Sequence, residues 1–321
     1  MSPNLFGIFR DYPTPPESGF WGTPTSTIDW CEENYVISPY IAEWSNTLTN
    51  SGFILLALYL LYSSWKNKLE TRFKLVCAGF GLVGIGSWLF HMTLQYKYQL
   101  LDELPMVYAT CIPAWSIFCE EIDVATSRIR SPTRRKQWTV GLTIFMGANL
   151  LTAIYLIFKN PTIHQAGYAL INAIVIWFAF KLTTQFVNDP VAKRNLQNAM
   201  LLGITIFLAG YFVWQLDVHF CQFWITIRRS YLRLPLGVLL ELHGWWHLLT
   251  GLGVYFYIVY LEYLRIYIHG KRDEYEMIWR WKVLPEVVIK TSHISTPFSH
   301  EFLGSCVTAT CHHLEERSKS E

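Results

Sequence analysis

Two histidines stand four residues apart in the segment His243-Gly-Trp-Trp-His247. In a helix this spacing places both imidazoles on one face, one turn apart. Such a pair can hold one metal ion, and it is a common arrangement in zinc sites. The two tryptophans between the histidines also fit the aromatic belt that marks a membrane–water interface. The spacing alone leaves both interpretations open.

Two further segments carry polar groups that could do chemistry. His91 stands four positions after Ser87, so a helix would place them one turn apart on the same face. A single histidine in a helix is more often a packed, hydrogen-bonded core residue than a ligand. The acidic pair Asp102-Glu103 opens a predicted helix, where the N-terminal dipole favours carboxylates. We expect Glu103 to be a solvated residue of that helix start.

The composition indicates an integral membrane protein. Only 16% of the 321 residues are charged and 52% are hydrophobic, and the charges fall in short clusters between long apolar runs. A net charge of +2 without a basic, aromatic-interleaved stretch argues against a nucleic-acid partner. The seven cysteines form no CxxC pair, which argues against a cysteine-built metal site. The first 28 residues lack the apolar core of a secretory signal peptide.

Seven segments are long and apolar enough to cross a bilayer as helices, since about 20 residues span its core. The predicted fold class is therefore all-α, a bundle of seven transmembrane helices. The segments are Glu43–Trp65, Lys74–Gln95, Leu101–Cys119, Trp138–Phe158, His164–Val187, Ala199–Phe220 and Pro235–Tyr267. Residues 1–42 precede this membrane domain of residues 43–268. Residues 269–321 follow it as a tail that we expect to be largely disordered, including His312 and His313.

Lysines and arginines concentrate in the first, third and fifth connections, which predicts that these face the cytosol. The N-terminus is then luminal and the C-terminus cytosolic. The sixth connection is an exception, because it carries Arg228, Arg229 and Arg233 on the predicted luminal side. In this topology His91, Asp102 and the pair His243 and His247 all lie near the luminal ends of their helices.

The convergence of these groups at one depth predicts a reactive centre. Three histidines with an open fourth position are typical of a catalytic zinc rather than a structural one. Such an ion activates water and polarises a carbonyl. A carboxylate nearby can move the proton, and a hydroxyl can stabilise an oxyanion. These groups together suit the hydrolysis of an amide or ester in a lipid substrate.

The segment before the first helix carries a second polar cluster of Asp29, Glu32, Asn34 and Glu43. Clustered oxygen ligands suit Ca²⁺, although the EF-hand spacing is absent. A helix cap with a solvated loop explains the same residues without a metal. Glu43, Asn46 and Asn50 also form one polar face of the first helix, which is expected to turn inward.

The ordered motifs resemble those of the alkaline ceramidase family, in particular its fungal phytoceramidase and dihydroceramidase branch. This family belongs to a superfamily of seven-helix membrane hydrolases that includes the adiponectin-type receptors. The resemblance extends over nearly the whole chain. It rests on D-W-C-E-E-N-Y from Asp29, E-W-S-N-T from Glu43, G-S-W-L-F-H-M-T-L from Gly86, D-E-L-P-M from Asp102 and H-G-W-W-H-L-L-T-G-L-G from His243.

The resemblance implies specific roles for these residues. Zinc would be held by His91, His243 and His247, with Asp102 as the acid/base group and Ser87 as the oxyanion stabiliser. A calcium site would consist of Asp29, Glu32, Asn34, Glu43 and the backbone carbonyl of Trp30. A disulfide would join Cys31 to Cys221.

The predicted function is hydrolysis of ceramide, with phytoceramide or dihydroceramide as the expected substrate, in the membrane of the endoplasmic reticulum or, as second choice, the Golgi. The lipid bilayer and its ceramides are the expected partners, with no obligate protein partner. The main alternative is a seven-helix receptor of the same superfamily with structural zinc or weak hydrolase activity. A haem carrier and an ion transporter fit less well, because Ser87 and Asp102 would be unexplained in the first and repeats are missing for the second.

Overall fold

The computed structural model describes residues 9–123 and 128–290, with three two-residue strands beyond them. Helices account for most of this part of the chain, and seven of them have 23 to 30 residues. The helices are α1 Trp44–Lys66, α2 Thr71–Thr93, α3 Tyr96–Phe118, α4 Arg134–Phe158, α5 Pro161–Phe186, α6 Pro190–His219, the short α7 Cys221–Ile227, and α8 Leu242–Ile268. A π-helical turn, Arg228–Leu232, and a 3₁₀ turn, Leu236–Leu240, connect α7 to α8.

Strands are short and lie outside the bundle. They are β1 Glu121–Asp123, β2 Arg128–Arg130, β3 Tyr275–Arg280, β4 Leu284–Ile289, β5 Phe298–Ser299, β6 Glu301–Phe302 and β7 Ser305–Cys306. The pairs β1–β2, β3–β4 and β6–β7 are antiparallel, and β5 adds to the open edge of β3. The all-α prediction therefore holds for the bundle, with small β elements added to it.

Five of the long helices, α1, α2, α4, α5 and α6, are long and apolar enough to cross a membrane. Only 11% of the most apolar window of α4 is buried inside the protein. Its large side chains Trp138, Leu150 and Ile157 are exposed, as hydrocarbon-facing residues would be. The helices α3 and α8 do not reach the same hydropathy. The acidic pair lowers the mean hydropathy of α3, and the histidines lower that of α8.

The central helix of the bundle is α8, which packs extensively against α6 and α1, while α2 packs between α1 and α3. We call the end where α1 and α8 begin and α2 ends the histidine end. The opposite end, where α1 and α8 finish, is called the hairpin end, because β3 and β4 contact both helices there. Because α1, α2, α3 and α8 all contribute to the histidine end, residues from distant parts of the sequence meet there.

Two predicted helix boundaries are wrong in a way that affects function. The third helix begins at Tyr96, five residues before the predicted start, so Asp102 lies in its second turn. The last helix begins at Leu242, because the 3₁₀ turn ends at Leu240 and Glu241 has a non-helical backbone. His243 is thus in the first turn of α8, where its backbone is fixed by the helix start.

The tail predicted to be largely disordered contains an ordered hairpin. Strands β3 and β4 pair in full register from Tyr275 opposite Ile289 to Arg280 opposite Leu284. Four consecutive residues of each strand are buried, including Trp279, which is completely enclosed. The prediction was wrong here because Arg280 pairs with Glu286 within the hairpin, and Met277, Trp279 and Val287 pack into the hydrophobic core of the bundle. His312 and His313 lie outside the described residues.

Candidate metal centre and active site

Three buried histidines meet at the histidine end. Each of His91, His243 and His247 offers one ring nitrogen, and these atoms lie within 4.8 Å of one another. The side chains are 1%, 4% and 6% exposed. Because Zn–N bonds are about 2.0–2.1 Å long, a zinc ion bound to all three would hold these nitrogens well within this 4.8 Å limit. The donor set of three imidazoles fits such an ion, and neutral imidazole is the form that binds it.

The outward nitrogens of two histidines have polar neighbours. Nδ1 of His91 forms a hydrogen bond with the Glu43 carboxylate, which leaves Nε2 for a cation. Nδ1 of His247 lies 3.1 Å from Oγ1 of Thr49 and 3.3 Å from Nδ2 of Asn50. Such outer contacts fix the orientation of a metal-binding imidazole. Glu43 and Asn50 are buried, so the prediction of an inward polar face on α1 is confirmed.

Ser87 and Asp102 come together because α2 and α3 approach closely at Gly86. A Cβ atom at Gly86 would collide with the backbone oxygen of Leu101 and stand 2.9 Å from the backbone nitrogen of Asp102. Glycine therefore permits a contact that a larger residue would prevent. The Ser87 side chain lies beside the Asp102 carboxylate. Ser87 and His91 are one turn apart on α2, so this pair lies beside the histidines.

Glu103 does not have the solvated position that the sequence suggested. Its side chain is 7% exposed and accepts a hydrogen bond from the hydroxyl of Tyr155 on α4. Nε2 of Gln99 donates to the same hydroxyl at 3.3 Å, and Oε1 of Gln99 accepts from the backbone of Thr27 at 2.8 Å. The longer α3 explains the error, because Glu103 lies inside the helix rather than at its exposed start. Glu103, Tyr155 and Gln99 form a hydrogen-bond network that joins α3 to α4 and to the N-terminal segment.

The N-terminal acidic residues surround the start of α1. Glu32 accepts hydrogen bonds from the backbone nitrogens of Ser45 at 2.6 Å and Asn46 at 2.8 Å, so it caps α1 from a distance in sequence. Burial, with the nearby charge of Glu43, raises the pKa of Glu32 to about 8. Both interpretations of this loop thus have support: Glu32 is a helix cap, and its environment favours a bound cation.

Asn34 provides the second indication of a cation in this loop. Its Nδ2 donates to Oδ1 of Asp29 at 3.2 Å, while its own Oδ1 is buried without a hydrogen-bond partner in the described part of the chain. An unpaired buried oxygen is costly unless a cation or water satisfies it. Oε1 of Glu43 also accepts from the backbone nitrogen of Trp30, at 3.4 Å. The oxygen-rich donor set therefore fits a hard ion such as Ca²⁺.

A disulfide joins Cys31 to Cys221, as the resemblance implied. Beside it, the fully buried Arg228 donates through Nη1 to Glu241 and through Nη2 to the Cys31 carbonyl, the latter at 2.8 Å. The next residue, Arg229, forms a bidentate pair with Glu33. These contacts hold the N-terminal loop against the connection between α7 and α8.

Sequence reasoning missed Trp214 and Asp217, and for Trp30 it implied a role of the backbone carbonyl but not of the ring. Trp30 stacks on the ring of His243, with centroids 4.3 Å apart and planes at 18°. Trp214 of α6 contacts Trp30 edge-on at 5.8 Å. Asp217, also of α6, is buried near Arg228 and the backbone of His243. A buried acid in an apolar helix was the available clue for Asp217; no sequence pattern indicated the ring stacking.

The Ceramidase family profile matches residues 22–288, which include the acidic loop, the histidines and the hairpin. The chain belongs to the ceramidase family. The resemblance drawn from the sequence motifs is thereby confirmed.

Named relatives support the same assignment. The chain is 54% identical over 304 residues to alkaline ceramidase YPC1 of Saccharomyces cerevisiae, which covers 94% of this chain and 96% of that protein. It is 35% identical over 255 residues to alkaline ceramidase 3 of Mus musculus, covering 79% and 89%. It is 28% identical over 253 residues to an alkaline ceramidase of Arabidopsis thaliana, covering 79% and 89%. These relatives are hydrolases of the ceramide amide bond, and this ceramidase is an enzyme of the same kind.

Proposed function

We propose that this ceramidase cleaves the amide bond of phytoceramide or dihydroceramide at a zinc centre held by His91, His243 and His247. The products are a sphingoid base and a fatty acid. The observation that carries the proposal is the convergence of three buried imidazoles in a member of the ceramidase family. Exposed apolar surfaces on the surrounding helices suit a substrate that enters from the bilayer.

When bound, zinc would supply Lewis acidity, which lowers the pKa of water and polarises the amide carbonyl. The carboxylate of Asp102 takes the proton from the attacking water and returns it to the leaving amine as the C–N bond breaks. The Ser87 hydroxyl donates to the oxygen on which negative charge develops. Glu43 keeps Nδ1 of His91 occupied and so directs Nε2 towards the ion.

A calcium ion in the acidic loop is the second part of the proposal. Its ligands are Asp29, Glu32, Asn34, Glu43 and the backbone carbonyl of Trp30. The unpaired Asn34 oxygen and the raised pKa of Glu32 support it. Because Glu43 contacts His91, an ion in this loop would also stabilise the position of a zinc ligand.

We further propose seven membrane spans, with residues 1–42 luminal, the membrane domain at 43–268, and the chain after 269 cytosolic. The arginines of the sixth connection do not oppose this topology, because each has an acidic partner within the protein. Arg228 binds Glu241, Arg229 binds Glu33, and Nε of Arg233 lies 3.2 Å from Asp11. They therefore have structural roles at the histidine end. The disulfide fits an oxidising lumen, as in the endoplasmic reticulum or Golgi.

The first experiment is to follow release of sphingoid base from labelled phytoceramide by the purified protein, with and without a zinc chelator. Turnover that chelation removes and zinc restores would support both the reaction and the metal. Absence of turnover on all ceramides, despite bound zinc, would contradict the proposal and favour the receptor alternative. Ceramide and dihydroceramide in parallel reactions would establish the preferred sphingoid base.

The role of Asp102 is tested by Asp102→Asn, with Glu103→Gln as the matched neighbour. Loss of a general acid/base is expected to lower kcat by about 10²- to 10⁴-fold. Glu103→Gln should have a much smaller effect, because Glu103 faces Tyr155 rather than Ser87. Both variants should retain zinc, measured by elemental analysis. Full activity in Asp102→Asn would exclude the assigned role.

A further inference from the structure

The three histidines of the metal centre are not held in the same way. His91 contacts Glu43, and His247 lies beside Thr49 and Asn50. His243 differs, because its Nδ1 is buried and has no hydrogen-bond partner in residues 9–123 and 128–290. A metal-binding imidazole normally has an outer hydrogen bond that fixes its ring orientation. A different contact must orient His243.

The indole of Trp30 makes that contact. Its ring lies nearly parallel to the imidazole of His243, at a centroid distance of 4.3 Å and an angle of 18°. By comparison, His247 meets the same imidazole at 84° and a centroid distance of 4.7 Å. A parallel ring of this size restricts rotation of the imidazole, because turning it would bring the two rings into collision.

A second aromatic ring, Trp214, packs beside Trp30. Trp214 meets Trp30 edge-on at 5.8 Å and 72° and also lies edge-on to the His243 imidazole, at the longer centroid distance of 6.5 Å and 70°. Trp246 in turn stacks on Trp214 at 5.4 Å and 26°. The Trp30 indole nitrogen is itself buried without a hydrogen-bond partner in the described chain. The position of the Trp30 ring is therefore set by packing and by its backbone, rather than by a polar contact of its own.

The backbone at Trp30 is fixed by several independent contacts. Its nitrogen donates to Glu43 at 3.4 Å. The next residue, Cys31, is covalently joined to Cys221, and its carbonyl accepts from Arg228 at 2.8 Å. The guanidinium of Arg228 is completely buried, which limits its movement. A rigid loop thus presents one flat side chain to the imidazole.

We infer that the Trp30 side chain is the positioning residue for His243 and fixes the orientation of this imidazole by stacking instead of a hydrogen bond. The inference rests on the proposed zinc centre. It assigns to the indole a role separate from that of the Trp30 backbone carbonyl, the proposed calcium ligand. Every substitution at position 30 except proline keeps both that carbonyl and the backbone N–H that donates to Glu43, so the two roles can be separated experimentally.

The test compares the Trp30→Leu and Trp30→Phe variants with the unmodified protein, all as full-length chains in nanodiscs. Loss of an outer-shell contact typically lowers metal affinity about 10- to 100-fold, so Trp30→Leu should lose zinc to a competing chelator at correspondingly lower chelator concentration. Trp30→Phe keeps a flat ring and should recover most of the affinity. Trp21→Leu is the matched control, since Trp21 belongs to the same segment but contacts Phe20 rather than a histidine.

Two further readouts separate positioning from general damage to the loop. Cobalt substituted for zinc should give an altered visible absorption spectrum in Trp30→Leu and a nearly normal one in Trp30→Phe. The shift in Tm on adding calcium should equal that of the unmodified protein in both variants. The inference would be overturned if Trp30→Leu had an unchanged zinc affinity and an unchanged cobalt spectrum. It would also be overturned if Trp30→Leu lost its calcium response to the same extent as its zinc affinity, because that would indicate general damage to the loop.

The design also distinguishes this inference from the proposed function. If the unmodified protein binds no zinc, both fail together. If it binds zinc and turns over ceramide while Trp30→Leu binds zinc equally well, only the positioning role fails. Should Trp30→Leu fold poorly, Trp214→Leu removes the ring that packs beside Trp30 and meets His243 only edge-on at 6.5 Å, so it should give a smaller loss of zinc affinity. An unchanged zinc affinity in Trp214→Leu would then argue against the positioning role of Trp30.

Discussion

The two ends of the bundle differ in how their buried carboxylates are neutralised. At the hairpin end, the buried carboxylates Glu120 and Glu286 have cationic partners, while Glu262 accepts a hydrogen bond from the Ser64 hydroxyl at 2.8 Å. Glu120 is contacted by Arg265 and by His269, whose Nε2 lies 3.1 Å away. Glu286 pairs with Arg280, and it also accepts hydrogen bonds from Tyr59 and Ser63 at 2.8 and 2.6 Å. The charges of this end are largely balanced by the protein itself.

At the histidine end, carboxylates outnumber the cations that could neutralise them. Glu32 and Glu43 are buried and close enough for each charge to disfavour the other. The buried arginine there, Arg228, binds Glu241. The buried amide oxygens Oδ1 of Asn34 and Oδ1 of Asn46 have no hydrogen-bond partner in the described residues. This end is electrostatically incomplete in a way that bound cations would correct.

The difference separates folding from function. A region that only has to be stable pairs its polar groups internally, whereas a region that binds ions or substrate leaves groups unpaired until those ligands are present. The hairpin end should therefore respond to substitutions through stability. The histidine end should respond through metal binding. Four substitutions or conditions test this contrast.

The largest effect is expected for Arg280→Met at the hairpin end. Removing one partner of a buried ion pair leaves the Glu286 carboxylate uncompensated, which typically costs about 3–5 kcal/mol of stability. We expect a marked fall in Tm, while zinc content and turnover per folded molecule stay normal. The double variant Arg280→Met with Glu286→Gln should recover part of the loss, since no unpaired charge remains. Loss of zinc in Arg280→Met would contradict the separation of the two ends.

The next effect is expected for Glu43→Gln, compared with Glu120→Gln. Glu43 contacts a proposed zinc ligand, so its neutralisation should lower zinc affinity about 10- to 100-fold. Glu120 lies at the opposite end and binds Arg265, so Glu120→Gln should lower Tm and leave zinc affinity unchanged. Chelator competition and thermal unfolding measure both quantities on each variant. Equal zinc affinities in the two variants would show that Glu43 does not act through His91.

The features that could be predicted from sequence are those in which a polar residue interrupts an apolar helix. His91, His243 and His247 were recognisable for this reason, because burying such groups demands an explanation. Contacts between side chains of different elements could not be predicted. The Trp30 ring is one example, since its stacking depends on a loop path fixed by a disulfide and by Arg228.

The hairpin and Glu103 were mispredicted for a related physical reason. In both cases a charged side chain suggested solvent, but a partner distant in sequence neutralises or satisfies it. Arg280 pairs with Glu286 under the hairpin, and Tyr155 donates to Glu103. Sequence shows the charge and not the partner. The same limitation applied to Arg228 and Arg229, whose acidic partners Glu241 and Glu33 could not be identified from the sequence.

A third prediction concerns pH and calcium at the histidine end. Burial raises the pKa of Glu32 from its ordinary value of 4.5 to about 8, so the folded protein retains a proton that the unfolded chain releases. Without calcium, this contribution to stability is present below pH 4.5 and is lost as pH rises through about 8. Calcium binds the ionised carboxylate, so the stabilisation by calcium should increase as pH rises towards about 8. The affinity for calcium should rise by up to about tenfold per pH unit for each proton that binding releases.

The measurement is the shift in Tm produced by calcium at about pH 6 and about pH 9. The shift should be larger at the higher pH, and Glu32→Gln should reduce this pH dependence. Glutamine keeps an oxygen that can accept a hydrogen bond at the start of α1, so the helix cap is partly preserved. A calcium shift that is independent of pH would place the calcium effect elsewhere in the protein.

The smallest effect is expected for Glu70→Gln, which tests the opposite pH response at the hairpin end. Burial alone would raise the pKa of Glu70, but the hydrogen bond and charge of Arg265 outweigh burial, and the pKa is lowered. The stabilisation is therefore present above the ordinary value of 4.5 and is lost as pH falls through the lowered pKa. Because Glu70 is 38% exposed, the pair should contribute at most about 1 kcal/mol. Tm should fall slightly in Glu70→Gln near neutral pH and match the unmodified protein in acid. Added calcium should not change that difference, because the charge of Glu70 is balanced by arginine rather than by a metal ion.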